Sequence, residues 1–273
     1  MPVAVVRLDV PHGNPRVSIA NVNEVPEAQV AEELAAMPQD WQRALAVVAH
    51  PDDLEYGAAA AIAHWTAQGK EISYLLVTRG EAGIDSMEPA EAARVREREQ
   101  RASAAAVGVP AVEFLDHRDG VIEYGVPLRR DLAAAIRRHR PELVLTISGD
   151  ETWPGGYWNT PDHKAVARAT VDAASDAGNR WIFPEQLADG GLERWDGVRW
   201  VAISVVAGAT HAQQVTDEDV ERAVASLTEH HAYLSALSDE PPEQYARTFL
   251  AATMDPLRQR LGHPAVAFRV HPR

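Results

Sequence analysis

Short apolar runs alternate with helical patterns along most of this chain, and this alternation constrains the fold more than any other feature. The first run is almost wholly apolar, which is typical of a strand buried on both faces. The runs that predict strands are ALAVVA (44–49), EISYLLVT (71–78), AVEFLD (111–116), ELVLTIS (142–148) and RWVAISVVAG (199–208). Together they predict an α/β fold, with a Rossmann-like, mostly parallel sheet, helices on both faces and an active site at the carboxyl ends of the strands.

Helical patterns lie between these runs and after the last of them. They cover residues 54–68, 88–107, 126–140, 161–176 and 217–237, and residues 264–271 are consistent with a last edge strand. We expect a single Rossmann-like domain over residues 44–273. Residues 1–43 would form an N-terminal arm, strand-like over 1–25 and helical over 26–37. Such an arm needs a surface to cover, which suggests a homo-oligomer.

Charge and composition disfavour several classes of partner. The 273 residues carry a net charge of −14, whereas nucleic acids and anionic membranes reward a basic surface. No apolar run approaches the roughly 20 residues that cross a bilayer, so stable membrane insertion is not expected. The N-terminus lacks the long apolar stretch of a secretory signal, which leaves the cytoplasm as the expected location. Cysteine is absent, so a transition-metal site must use His, Asp or Glu.

Charge begins abruptly where the first predicted strand ends, in HPDDLE (50–55). No GxGxxG follows that strand, so a dinucleotide fingerprint is absent. His50 and Asp53 can point at one spot, and a histidine nitrogen with a carboxylate oxygen suits zinc. Asp52 remains free to act as a base. The simpler alternative is that Asp52 caps a helix and that His50 is a buried, hydrogen-bonded histidine.

A catalytic zinc usually takes three protein ligands, so a third is needed. The candidate is His163 in NTPDH (159–163), which follows the fourth predicted strand. The two loops converge if that strand lies beside the first one. A second acidic, histidine-bearing loop at the equivalent place favours a metal site over a structural role for either motif alone.

The segments AHPDDLE (49–55) and PDH (161–163) resemble the motifs of the PIG-L or LmbE-like family of zinc-dependent N-acetylglucosaminyl deacetylases. The resemblance extends from about residue 44 to about residue 237. Weaker supporting segments are VTRGEAG (77–83), RERE (96–99), RDG (118–120) and HAQQVT (211–216).

This resemblance implies roles for individual residues. One zinc ion per chain would be held by His50, Asp53 and His163, and Asp52 would be the general base on the water that zinc activates. Arg96 and Asp119 would hold the sugar. Taken alone, Arg96 could instead pair with helix charges and Asp119 could belong to an ordinary turn.

Thr160 departs from the family pattern, which has a histidine at this place. A threonine hydroxyl donates a hydrogen bond but carries no positive charge at pH 7, and losing one such donor can cost about 10²- to 10³-fold in rate. We expect His211 to replace it, with Tyr157 as the next candidate. A slow enzyme, or a zinc site without hydrolysis, are the alternatives.

Supporting and substrate-binding roles remain for several side chains. Tyr157 and Trp158 lie in the long loop 149–160, and their aromatic faces suit sugar rings as well as ordinary packing. Glu55, Asp162 and Thr160 would support the metal ligands, although Glu55 and Asp162 also suit helix starts.

These features predict a zinc-dependent hydrolase that removes acetyl from a small N-acetylglucosamine-type amino sugar or glycoconjugate. One alternative is an amidase that acts on a thiol conjugate or another secondary-metabolite amide. Another is a non-catalytic zinc- or small-molecule-binding protein, for which Thr160 is the argument.

Overall fold

The computed structural model describes residues 34–188 and 191–273, which contain eight strands and nine helices. The strands are β1 (Ala35–Ala36), β2 (Arg43–Val48), β3 (Glu71–Leu76), β4 (Ala111–Phe114), β5 (Leu143–Ile147), β6 (Trp200–Ser204), β7 (His211–Gln214) and β8 (Ala265–Pro272). The helices are α1 (Asp53–Gly57), α2 (Ala59–Ala67), α3 (Pro89–Ala106), α4 (Val126–His139), α5 (Pro161–Asp176), α6 (Glu185–Ala188), α7 (Asp217–Thr228), α8 (His231–Leu237) and α9 (Pro242–Leu261).

All eight strands form one sheet in the order β1-β7-β8-β6-β5-β2-β3-β4. The α/β fold with a mostly parallel sheet is therefore confirmed. β2 pairs in parallel with β3 on one side and with β5 on the other. The chain adds β3 and β4 on one side of β2 and then crosses to the other side to form β5. The point between β2 and β5 is therefore the switch point of the sheet. Loops that follow strands at such a switch point form a crevice, where ligands bind in folds of this type.

Two apolar layers sandwich the sheet, which explains the continuous apolar character of β2. Leu45 and Val47 face the layer that contains α4 and α5. Ala46 and Val48 face the opposite layer, to which α2, α3, α7 and α9 contribute. Because both faces are covered, residues 44–48 are all apolar, and polar residues flank them, with Arg43 at the start of the strand and His50 beyond its end.

The carboxyl-terminal half departs from prediction in its strands. The predicted strand 199–208 ends at Ser204, because the next residue, Val205, has a left-handed backbone with φ of 54°. Residues 211–214 then form a separate strand, β7. The segment predicted as an edge strand lies inside the sheet instead, where β8 pairs antiparallel with both β6 and β7.

The helices also differ in detail. The predicted helix 54–68 is broken at Ala58, and the predicted helix 217–237 is broken before His231. The long helix α9 was not predicted, and it contains Pro256, a residue that usually ends helices. The predicted strand 1–25 and most of the predicted helix 26–37 lie outside the described residues. At its described end, Ala35–Ala36 is a short strand rather than helix. Across the described residues, no helix combines the length and the apolar character that crossing a bilayer requires.

Candidate active site

Three predicted metal ligands meet at the carboxyl ends of β2 and β5. His163 Nε2 lies 3.1 Å from His50 Nδ1 and 2.9 Å from Asp53 Oδ1, and His50 Nδ1 lies 3.7 Å from Asp53 Oδ2. Ligand atoms around a tetrahedral zinc with bonds of about 2.0 Å are roughly 3.3 Å apart, so these separations fit that ion. Within the described residues, His50, Asp53 and His163 form one of two groups whose spacing suits a metal, and the other group shares His50.

Hydrogen bonds fix which nitrogen of His50 faces the cluster. Its Nε2 lies 3.0 Å from Asp119 Oδ1 and 3.2 Å from Asp162 Oδ2. A carboxylate only accepts, so Nε2 carries a proton and can donate it, whereas Nδ1 can offer its lone pair to the cluster. Asp162 also accepts from the backbone N–H groups of Gly120 and Ile122, which ties the loop after β4 to this histidine.

His163 is oriented in the same way by Asn159, a residue that the sequence reasoning missed. The amide nitrogen of Asn159 donates to the Ser148 and Asp150 carbonyls, so its Oδ1 is left as the acceptor. That oxygen lies 2.9 Å from His163 Nδ1, which therefore donates and leaves the Nε2 lone pair for the cluster. Two imidazole lone pairs and a carboxylate then face one another, an arrangement that calls for a cation. The only sequence signal for Asn159 was its place in the motif NTPDH.

The pKa values of Asp53 and His50 are both shifted by their surroundings in this cluster. Burial by itself would raise the pKa of Asp53, but the charges and hydrogen bonds of His163 and His50 outweigh burial and lower it. Burial opposes protonation of His50, yet hydrogen bonds to Asp119, Asp162 and Asp53 hold its pKa well above the usual value.

Asp52 is buried next to the predicted ligands and is held in an unusual backbone conformation. It is 4 % exposed and has a φ of 89°, in the left-handed region. Arg96 donates to Asp52 Oδ2 at 3.1 Å and to the Pro51 carbonyl at 2.7 Å. Burial raises the pKa of Asp52 to about 6, although the Arg96 charge opposes the rise. A carboxyl group with such a pKa can both take up and return a proton near neutral pH.

Arg96 is built into the site rather than exposed at its mouth. It is 2 % exposed, donates to the Gly80 carbonyl at 2.9 Å, and its guanidinium lies 4.1 Å from the centre of the Tyr233 ring. A Cβ atom added at Gly80 or Gly83 would come within 2.3 Å of this guanidinium. The glycines of the loop after β3 therefore make room for Arg96. The contacts favour support of Asp52, and sugar binding by Arg96 stays a prediction.

The Arg96→Met variant separates these two roles. Removing the guanidinium should raise the pKa of Asp52, so the acid limb of the kcat/KM profile should move to higher pH by about one unit. Activity would then fall more at pH 6 than at pH 8. An Arg129→Met variant, which breaks the Arg129–Asp176 pair instead, should leave the limb in place. A KM that rises equally at every pH, with an unmoved limb, would show that Arg96 binds substrate.

His211 does not reach this cluster, which corrects the expectation that it replaces the missing histidine. It begins β7, and β7 is four strand positions from β2, or roughly 19 Å at about 4.8 Å per strand. Its ring pairs with the neighbouring Thr210 hydroxyl. The expectation placed His211 just after the fifth predicted strand, whereas that strand ends at Ser204 and β8 lies between it and β7.

Thr160 has a structural task at the position where the family has histidine. Its hydroxyl caps α5 by accepting the backbone N–H of His163, at 3.3 Å. Threonine thus fixes the start of the helix that carries the predicted ligand His163.

Aromatic residues of the loop 149–160 lie beside the cluster. Trp153 packs edge-on against His163, with ring centres 5.3 Å apart. Trp158 is 68 % exposed, and Lys164 lies over its ring. Sugar binding by Trp158, Tyr157 and Asp119 remains a prediction. Asp119 is held at the rim, where its Oδ2 accepts from the Ala82 backbone N–H.

Glu55 is fully buried behind the ligand loop. Its Oε1 accepts from the Gln100 side chain at 2.9 Å and from the Ser103 hydroxyl at 2.6 Å. The predicted supporting position agrees with these contacts, and Glu55 also lies in the first turn of α1, as the helix-start alternative expected.

Comparison with known proteins finds similarity to deacetylases. Residues 45–174 match the family model described as PIG-L, GlcNAc-PI de-N-acetylase. A diacetylchitobiose deacetylase from Thermococcus kodakarensis is 32 % identical over 141 residues, which cover 51 % of this chain and 51 % of that protein. A 1D-myo-inositol 2-acetamido-2-deoxy-alpha-D-glucopyranoside deacetylase from Mycolicibacterium gilvum is 33 % identical over 172 residues, 52 % of this chain and 57 % of that protein. The matched regions thus span a little over half of these relatives.

A solved structure extends the likeness beyond the matched sequence. The N,N'-diacetylchitobiose deacetylase from Pyrococcus horikoshii, complexed with its inhibitor MPG, superposes with a TM-score of 0.75. The superposition covers 85 % of each chain at 23 % identity, so it shows a shared fold. The family match includes both segments that carry the ligand cluster. Over residues 45–174, this chain is therefore similar to the PIG-L family.

Proposed function

We propose that this chain is a zinc-dependent N-deacetylase that hydrolyses the acetamide of a small N-acetylglucosamine-type amino sugar. The observation that carries the proposal is the convergence of His50 Nδ1, His163 Nε2 and the Asp53 carboxylate, with the buried carboxylate of Asp52 in the same loop. Three ligands of this kind are the usual protein set of a catalytic zinc, which keeps a further position open.

The residues of this chain divide the work of hydrolysis. Zinc, when bound to His50, Asp53 and His163, supplies Lewis acidity toward a carbonyl oxygen and toward water. Asp52 accepts the proton that the attacking water loses as its oxygen forms the new bond to the acetyl carbon. The carbon–nitrogen bond then breaks, and the same carboxyl group can return the proton to the amine nitrogen. Acetate and a free amino sugar are the products.

This use of Asp52 would provide the acid that is missing when threonine, and not histidine, stands at position 160. An imidazole acid is not needed if a single carboxyl group both receives and returns the proton. The Thr160 hydroxyl proton is left to donate, which can supply a neutral hydrogen bond but no charge. We therefore expect slower turnover than with a histidine at this position.

The proposed substrate class is supported by the names of the relatives and by the rim of the site. Both curated relatives are deacetylases, and one name specifies a 2-acetamido-2-deoxy-glucopyranoside. Trp158 is 68 % exposed in the loop whose Trp153 packs against His163, and the Asp119 carboxylate lies beside His50 Nε2. Such groups suit the apolar face and the hydroxyl groups of a sugar ring.

Removal of the metal tests the proposal directly. The purified chain should carry about one zinc per chain and release acetate from N-acetylglucosamine conjugates, since a catalytic site of this type holds one ion. Dialysis against a chelator should abolish acetate release, and zinc should restore it. Acetate and zinc are measured on the same samples, with magnesium as the control addition, because imidazole ligands do not favour that ion.

Other outcomes point to the alternative functions. Bound zinc without any acetate release, together with binding of the sugar, would indicate the non-catalytic protein that Thr160 allows. Cleavage of a thiol conjugate without release of acetate would indicate an amidase. Retention of full activity after verified removal of zinc would contradict the proposal.

A further inference from the structure

A buried glutamine lies directly behind the proposed base. Gln100 is 1 % exposed on α3, and its Oε1 accepts the backbone N–H of Asp52 at 2.9 Å. Its Nε2 donates to Glu55 Oε1, also at 2.9 Å. Gln100 therefore bridges two residues of the ligand loop that are three positions apart, and both are buried.

The Asp52 backbone needs such a partner. Asp52 has a φ of 89°, a conformation that costs a residue with a side chain free energy unless its surroundings enforce it. Its N–H group is buried, so an unpaired state would add a desolvation cost. Gln100 satisfies this N–H and ties the strained residue to the long helix α3.

The orientation of the Gln100 amide is fixed by Glu55. A carboxylate only accepts hydrogen bonds, so Gln100 must turn Nε2 toward Glu55 and Oε1 toward Asp52. Glu55 is 0 % exposed and is itself held by the Ser103 hydroxyl at 2.6 Å. His230 lies on its other side, with Nε2 3.7 Å from Glu55 Oε2. Turning the amide over would place two donors against each other at Asp52 and two acceptors against each other at Glu55.

We propose that Gln100 is a positioning residue for Asp52, and that the buried Glu55 carboxylate sets the direction of its amide. The inference rests on the proposed function in so far as Asp52 is the base. Arg96 holds the Asp52 carboxylate from one side, and Gln100 holds its backbone from another. Together these contacts set the direction in which the carboxylate meets the attacking water.

The Gln100→Met variant tests this role, because methionine has nearly the same length and no hydrogen-bonding amide. We expect kcat to fall by about 10- to 100-fold, in line with small misplacements of catalytic groups, with KM and zinc content nearly unchanged. Gln213→Met is the matched control. Gln213 is also buried, at 7 % exposure, and accepts from the Trp65 indole at 2.8 Å, on a strand four positions away from β2. This control should lose stability but keep kcat.

A reversed pair tests the direction of the amide. In the Glu55→Gln, Gln100→Glu double variant, the carboxylate at position 100 accepts from Asp52, and the amide at position 55 donates to that carboxylate. The total charge is conserved, so kcat should return to within about threefold of the original, a difference of only about 0.7 kcal/mol. A double variant as impaired as Gln100→Met would overturn the role given to Glu55.

Amide hydrogen exchange separates this inference from the proposed function. Gln100→Met should speed exchange in the segment 49–56 at least tenfold, and Gln213→Met should not. That result would stand even if the original chain released no acetate, in which case the proposed function alone would fail. Unchanged exchange in this segment, or equal losses of kcat in the two methionine variants, would overturn the positioning role of Gln100.

Discussion

Replacing Asp52 with asparagine should lower kcat by about 10²- to 10⁴-fold, the range typical of a lost general base. Asparagine tolerates the left-handed backbone of this position and can still accept from Arg96, but it cannot take up a proton. The fold and the zinc content should therefore stay as they are. Acetate release, zinc per chain and thermal unfolding are measured on the same preparation.

Asp176→Asn is the matched control for this variant. Asp176 is also a buried carboxylate paired with arginine, at 6 % exposure, and Arg129 donates to both of its oxygens. This pair lies at the carboxyl end of α5, at the opposite end of the helix from His163. The control should affect stability while leaving kcat near its original value. Full turnover in Asp52→Asn would remove Asp52 from the mechanism.

Replacing His163 with alanine should have a comparably large effect, exerted through metal binding. The variant loses one of three proposed protein ligands, so zinc affinity should fall by more than the roughly 10- to 100-fold typical of losing an outer-shell partner. Acetate release should fall in parallel and should recover in part at high zinc concentration. Zinc affinity is measured by competition with a chromogenic chelator.

The control for that experiment is His64→Ala. His64 also pairs with a carboxylate, since its Nδ1 lies 2.9 Å from Asp219 Oδ2, but it belongs to α2 and to a different part of the surface. Zinc affinity should not change in this variant. If His163→Ala binds zinc as tightly as the original chain, the ligand assignment is incorrect.

The first half of the fold could be predicted because its strands and helices are separate in the sequence. β2 through β5 are short apolar runs, and each is followed by a helical pattern with an evident end. The later part was harder, since β7 is only four residues long and β8 inserts between it and β6. Sequence order gives no sign of that insertion, and His211 was misplaced for this reason.

The proposed ligands His50, Asp53 and His163 could be named in advance because their chemistry is carried by the motifs themselves. Asn159 and Gln100 could not, since a buried amide is recognised by the partners that surround it and not by its neighbours in sequence. Arg96 was also only partly predictable from the sequence. Its motif was visible, but its burial and its contact with Asp52 depend on space left by two distant glycines.

The left-handed backbone of Asp52 has a consequence for how this position can vary. Glutamate keeps the carboxylate but is a poorer occupant of that conformation, whereas asparagine and glycine fit the backbone and lack the acid. Chemical similarity and conformational similarity therefore rank the substitutes in opposite orders. A saturation library sorted first for folded protein and then for acetate release should retain asparagine and glycine in the first sort and recover only aspartate in the second.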